Sequence, residues 1–190
     1  ILGFFLNEDS NGGAFIDYKS YNVLIQFFVS DFNNTFLNFD KYGERHSPIF
    51  IILLSFFHKI NIDDTIIRLI NLNFSIISII FFFKCLKIKF NKIDNHYLLL
   101  ISSIFLLSPT FRSLSIWPDS RILGFHFFVI STFFYLKFMY SNKKVYNCYL
   151  NIIFLAISSY FSPNFSLFSV FFLYQFYKQL NISKELFLCV

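Results

Sequence analysis

The stretch DDTIIRLINLNFSIISIIFFFKCLKIKF, residues 63–90, decides the fold. Between Thr65 and Phe83 its only charge is Arg68, and the run closes on Lys84, Lys87 and Lys89. A membrane-crossing helix needs about 20 mostly apolar residues, and this segment supplies them. Arg68 stands near one end, where its stem can snorkel to the interface, and the lysines mark the other end.

The rest of the chain agrees with that reading. Apolar residues make up 56% and charged residues 14% of the 190, with a mean hydropathy of +0.58, values of a membrane protein rather than a soluble domain. Phe, Ile, Asn and Lys dominate, a bias that an AT-rich genome produces, so the net charge of +5 is no sign of nucleic-acid binding. Cys85, Cys148 and Cys189 sit in or beside apolar runs without paired spacing, which points to neither a disulfide framework nor a metal site. The ends, ILGFFL and ELFLCV, read as membrane spans cut short; ILGFFL is too short, and lacks the basic flank, for a signal peptide.

Further spans are expected at His96–Phe111, Ser120–Tyr140, Val145–Phe161 and Pro163–Tyr177, with a truncated one from Glu185. The apolar run Ser47–Phe57 is too short to cross and is expected to lie at the interface. With it on the surface, Lys84, Lys87, Lys89, Lys92, Lys137, Lys143, Lys144, Lys178 and Lys184 share one side, against Asp94 and Glu185 alone. The opposite side holds Arg45, Arg68, Arg112 and Arg121, three lysines and nine of the eleven acids. The positive-inside rule then places the lysine loops in the cytoplasm. Letting Ser47–Phe57 cross would put two lysine clusters on opposite sides.

This topology leaves a large first extracytoplasmic loop, residues 7–64, too long for a plain connector. Within it Ala14–Val29 carries Phe15, Tyr18, Val23 and Phe27 at helical spacing, with Asp17, Lys19 and Asn22 between them. That pattern reads as an amphipathic helix at the interface, or as aromatics that only anchor the loop to headgroups.

Three pieces in order carry a family resemblance: GERHSPIFIILLSFFHKI (residues 43–60), the Arg-led span at 63–90, and LLISSIFLLSPTFRSLSIWPDSRILG (99–124), where a span is closed by Ser-Pro and followed by a polar loop. The order resembles the N-terminal half of the GT-C membrane glycosyltransferases, the group of the protein O-mannosyltransferases and the bacterial enzymes that use polyprenyl-phosphate sugars. It covers roughly residues 7–140. The resemblance implies an all-α polytopic transmembrane helical bundle with juxtamembrane helices in the large first extracytoplasmic loop, with residues 1–190 forming part of that domain. It also implies inverting transfer of a sugar from a polyprenyl-phosphate donor to a lipid, glycan or protein acceptor.

Such a reaction needs a carboxylate to take the acceptor proton, cations for the departing phosphate and an apolar groove for the lipid. It needs no nucleotide-binding domain, and the chain has no Gly-rich phosphate loop. The family's acid opens the first extracytoplasmic loop, which here reads NEDSNGG. Glu8 and Asp9 stand in the reverse of the usual Asp-Glu order, so the choice between them stays open. Asp9 comes first because the following Ser-Asn-Gly-Gly permits a tight turn; the alternative is a solvated cap before the helix. Asp40 lies six residues before His46, where the family carries a second acid. His46 of His46-Ser47-Pro48 is a candidate contact to acceptor or phosphate, while Ser47 with Pro48 also reads as a helix cap. Arg112 and Arg121 frame the second polar loop as the phosphate site, with Asp119 to orient one of them and Trp117 as an interfacial anchor. Asp17 and Asp31 read as polar-face residues, and His58, His96 and His126 as structural.

The expected protein is therefore an integral, multi-pass membrane glycosyltransferase of the bacterial inner membrane. Its partners are the lipid-linked donor, the acceptor and membrane lipids, with no nucleic acid and no metal ligands; no cofactor is assigned. The alternatives are a small-solute or lipid transporter, whose charges belong near the bilayer midplane, or an inactive GT-C-like accessory membrane protein.

Overall fold

The computed structural model describes residues 2–9, 13–43, 47–141 and 143–180. Among these residues the regular structure is all helical. The chain divides into two compact units, Ile1–Ile76 with Ile104–Leu123, and Ile77–Ser103 with Gly124–Val190.

The first unit opens with α1 (Leu2–Phe5), which stops at Asn7 in the left-handed region (φ 53°), a conformation asparagine tolerates. There the Glu8 amide turns back to the Gly3 carbonyl at 2.8 Å. Helix α2 (Ala14–Ser30) forms where the periodicity predicts one, but its buried stripe runs through Tyr18, Tyr21, Ile25 and Phe28. Val23 and Phe27, assigned from sequence to the apolar face, are exposed. The stripe packs on α4 (Ile49–Lys59), where Tyr21 meets Phe50 edge-on at 5.4 Å. Between them α3 (Phe32–Leu37) is capped by Asp31, which accepts the Asn34 amide at 3.1 Å, and a 3₁₀ turn over Phe39–Tyr42 ends on Gly43 at φ 69°. Helix α4 has 11 residues and so spans about 16 Å, too little to cross a bilayer.

Helix α5 (Asp64–Lys89) begins where Asp63 accepts the Thr65 amide at 3.0 Å. The hydrogen bonds from Thr65 hold the Asp63 carboxyl below its usual range. The helix is longer at its C-terminal end than the apolar count, which stopped at Phe83. A lysine ends an apolar run without ending a helix, because its unbranched stem fits the helix well.

Over the span expected at His96–Phe111 the helix is not continuous. Helix α6 (Asn95–Ser102), capped by Asp94, is followed by a 3₁₀ turn at Ser103–Leu107 and then by α7 (Pro109–Ile116). Pro109 has no amide to donate and disfavours helical backbone before it, so Ser108 turns extended and caps the new helix through the Phe111 amide at 3.3 Å.

The second unit holds α6, the C-terminal half of α5 and most of α8 (Ser120–Tyr140), together with α9 (Val145–Phe161) and α10 (Phe168–Gln179). Helices α8 and α9 start and stop where the sequence predicts. The expected span Pro163–Tyr177 is instead a 3₁₀ turn, Pro163–Leu167, leading into α10. The core of this unit is Tyr135, Phe138, Cys148, Leu155, Phe172 and Phe176. Polar pairs stitch α8 to α9 within it: Asn151 Nδ2 donates to the Ser131 carbonyl at 2.9 Å, and Ser158 Oγ donates to the Gly124 carbonyl at 2.7 Å. Interhelical bonds of this kind satisfy polar groups that the packed helices would otherwise bury without partners.

By length and apolar composition α5 and α8 are able to cross a membrane, and a third crossing is reached if the bent run Asn95–Ile116 counts as one. Helices α4 and α9 are apolar but shorter. The run from Glu185 lies outside the described residues.

Candidate functional site

The first unit contains a cavity of about 360 Å³ lined by Asn7, Phe15, Tyr18, Asp64, Arg68 and Trp117. Four stretches of the chain build it. The turn after α1 supplies Asn7, the first turns of α2 supply Phe15 and Tyr18, and the start of α5 supplies Asp64 and Arg68. The residue following α7 supplies Trp117.

Arg68 is the cation of this cavity. Asp64 and Arg68 lie four residues apart, the spacing that puts two side chains on one face of a helix. The guanidinium rests 3.9 Å from the Trp117 ring centroid and 4.9 Å from that of Phe4. Its nitrogens donate to Asn7 Oδ1 at 2.8 Å, the Ile116 carbonyl at 3.3 Å and the Phe4 carbonyl at 3.4 Å. All of these acceptors are uncharged, and Arg68 makes no ion pair within 4.0 Å among the described residues. Trp117 is buried between this guanidinium and α2, with Phe15 at 4.5 Å between centroids, and its indole N–H donates to the Glu8 carbonyl at 3.2 Å.

Asp64 supplies the negative charge. The Tyr18 hydroxyl donates to Asp64 Oδ1 at 3.1 Å, and His58 Nε2 lies 3.4 Å from the same oxygen. Burial, reinforced by the charge of Asp64, pushes the Tyr18 hydroxyl well above the usual tyrosine range, so it stays a proton donor.

Glu8, Asp9, Asp40, Arg112, Asp119 and Arg121, singled out from sequence, are not among the residues that line this cavity. Arg112 and Glu8 are brought together, Nε to Oε1 at 2.9 Å, although 104 positions separate them. Arg121 is gripped more tightly. Its Nε and Nη2 meet Asp119 Oδ1 and Oδ2, each at 2.8 Å, and Nη2 also reaches Asp17 Oδ2 at 2.7 Å. This is the two-pronged geometry in which arginine binds a carboxylate best. Asp119 is 1% exposed, so its partner compensates a charge almost out of water. Asp17, read from sequence as a polar-face residue, is thus an ion-pair partner. Asp9 Oδ1 accepts the Ala14 amide at 3.2 Å, at the start of α2. Asp40 lies exposed in the Phe39–Tyr42 turn. His46 lies outside the described residues. Ser47 Oγ accepts the Ile49 amide at 3.4 Å, at the start of α4.

Sequence reasoning assigned no site role to Asn7, Phe15, Tyr18, Asp64 or Arg68. The four-residue spacing of Asp64 and Arg68 was the one available signal. Nothing local links Tyr18 to Asp64, 46 positions away. The second unit has a polar pair of its own, Ser78 Oγ with His126 Nδ1, both buried. No group of His, Cys, Asp and Glu side chains among the described residues has the arrangement of a metal site.

Neither a protein-family model nor a curated protein nor a solved structure matches this chain.

Proposed function

We propose that the chain is the membrane part of a GT-C-type glycosyltransferase, a multi-pass helical bundle of the bacterial inner membrane. It moves a sugar from a polyprenyl-phosphate donor to a lipid, glycan or protein acceptor at the extracytoplasmic face. The observation that carries this reading is the Arg68 cavity: a cation without an ion-pair partner among the described residues, flanked by aromatic rings and a carboxylate, at the head of a helix long enough to cross a bilayer.

A lipid-linked sugar phosphate makes matching demands. Its phosphate oxygens suit a guanidinium, whose charge stabilises the leaving group. Its sugar ring has apolar C–H faces that suit the aromatic lining at Phe15, and its lipid tail stays in the bilayer beside α5. In this reading Asp64 takes the proton of the acceptor hydroxyl. The acceptor oxygen then bonds to the anomeric carbon, the bond from that carbon to the phosphate oxygen breaks, and the lipid phosphate departs with the electron pair. Tyr18 holds Asp64 in place. Arg112 with Glu8, and Arg121 with Asp17 and Asp119, brace the segments that carry the cavity.

The test is transfer by the full-length protein in vesicles supplied with radiolabelled polyprenyl-phosphate hexoses and lipid or peptide acceptors. Label is expected in the acceptor fraction, and Arg68→Ala is expected to abolish it at low donor concentration. A panel of donors that yields no transfer, together with solute flux through the same vesicles, would replace this reading with the transporter one.

A further inference from the structure

We infer that the lysine-rich end of the second unit is a docking surface for the headgroups of anionic phospholipids. Eight lysines of that unit's described residues stand against one acid, Asp94, whose carboxylate is already occupied by the His96 amide at 2.8 Å. They gather where α5, α8 and α10 end and α9 begins. Lys89 Nζ bonds the Tyr140 hydroxyl, tying the end of α5 to that of α8, and Lys143 Nζ donates to Gln179 Oε1 at 3.2 Å, tying the start of α9 to the end of α10. The charges therefore form one surface.

Helix dipoles account for only part of this charge. Each helix terminus carries roughly half an elementary charge, and one of the four termini here is the positive kind. The excess is left for an outside anion. Lys84 lies over Phe81, Lys137 over Phe133 and Lys178 over Tyr174, with ammonium-to-centroid distances of 5.1, 5.8 and 5.4 Å. Ammonium groups resting over aromatic rings at the ends of apolar helices match the level where hydrocarbon meets headgroups.

Two features select a lipid leaflet over a soluble polyanion. The same helices carry exposed apolar side chains, among them Ile80, Ile153 and Phe171, so the cationic end continues into surface that water does not suit. The unit also contains no arginine. Lysine is a compact, hydrated point charge without arginine's forked grip, which suits a layer of mobile phosphates better than one ligand in a fixed pose. The inference does not depend on the glycosyl-transfer reading.

The test compares the thermal midpoint of the full-length protein in vesicles of phosphatidylcholine alone and in vesicles containing about a third phosphatidylglycerol. A rise of about 4 °C is expected with the anionic lipid. The rise should collapse near 0.5 M salt, where screening shortens the Debye length to about 4 Å. Replacing Lys84, Lys87, Lys92, Lys137 and Lys144 with Gln should remove the rise while leaving the phosphatidylcholine midpoint in place, and Arg replacements should keep it. Equal midpoints in the two lipids, a rise indifferent to salt, or an unchanged rise in the Gln variant would each overturn the inference. So would the same rise from inorganic phosphate added to protein in detergent. Should the Gln variant fail to fold, the wild-type lipid and salt comparison decides alone.

Discussion

The Arg68 guanidinium lies 3.9 Å over the Trp117 indole, and its hydrogen-bond acceptors are two carbonyls and an amide oxygen rather than carboxylates. None of these bonds spends the guanidinium on a carboxylate. Arg68→Ala should therefore weaken binding of a polyprenyl-phosphate sugar by about 10–100-fold, the loss of one charge-assisted bond of about 1.5–3 kcal/mol. Arg68→Lys should recover only part, because an ammonium lacks the flat face that rests on Trp117 and the fork that grips phosphate. Donor affinity by equilibrium binding is the readout. Equal affinity in all three proteins would remove Arg68 from the site.

Asp64 is the carboxylate on the cavity wall, with one oxygen steered by Tyr18. Asp64→Asn should lower transfer by about 10²–10⁴-fold while donor binding persists, the range typical of a lost general base. Tyr18→Phe should cost about tenfold or less, one hydrogen bond of about 1 kcal/mol. Asp9→Asn keeps a side-chain oxygen that can accept the Ala14 amide and should leave transfer within a few-fold of wild type. The reverse result, with activity lost in Asp9→Asn and kept in Asp64→Asn, would move the proton acceptor to Asp9.

Arg121 and Asp119 make a separate prediction, in stability. Asp119 is almost wholly buried, and both its oxygens are satisfied by Arg121. Arg121→Ala leaves that charge with the Arg121 amide, 2.7 Å away, as its remaining partner, so about 1–3 kcal/mol of stability should be lost. Adding Asp119→Asn removes the orphaned charge and should restore part of the loss. Thermal unfolding in detergent of the two single variants and the double gives the coupling directly. Simple additivity would mean that the pair does not act as a unit.

The helices were legible where local chemistry sets them. Ser120–Tyr140 and Val145–Phe161 are bounded by charged or polar loops, and the Ser108-Pro109 step carried its own stop signal even though the sequence reading ran one span through it. The tilt of the buried stripe on α2 was not legible, because aromatics occupy both its faces: Tyr18 and Val23 look equivalent until α4 covers one side. The arginines show the same limit. Their number and their loops could be read, but which arginine is neutralised depends on contacts across 104 positions, Glu8 to Arg112 and Asp17 to Arg121. Sequence reasoning gave the phosphate role to the two arginines that the fold pairs with acids and treated Arg68, which has no ion pair among the described residues, as a membrane anchor.

Gly124 marks a close approach between α8 and the end of α9. Its carbonyl accepts the Ser158 hydroxyl at 2.7 Å, and a Cβ at this position would stand 2.7 Å from Ser162 Cβ and 3.2 Å from the Ser158 carbonyl oxygen. Neither neighbour is the loose end of a flexible side chain, so the helices themselves must part. Gly124→Ala should destabilise the protein by about 1–3 kcal/mol through overpacking, diminished by the roughly 1 kcal/mol that alanine gains over glycine inside a helix. Truncating the neighbour separates these effects. Gly124→Ala combined with Ser162→Gly removes the Cβ–Cβ clash and should recover most of the loss, whereas Ser158→Ala, which deletes the hydroxyl but leaves that carbonyl in place, should not. Unfolding midpoints in detergent would show the order. A Gly124→Ala protein as stable as wild type would mean that α8 and α9 lie farther apart than the Ser158–Gly124 hydrogen bond requires.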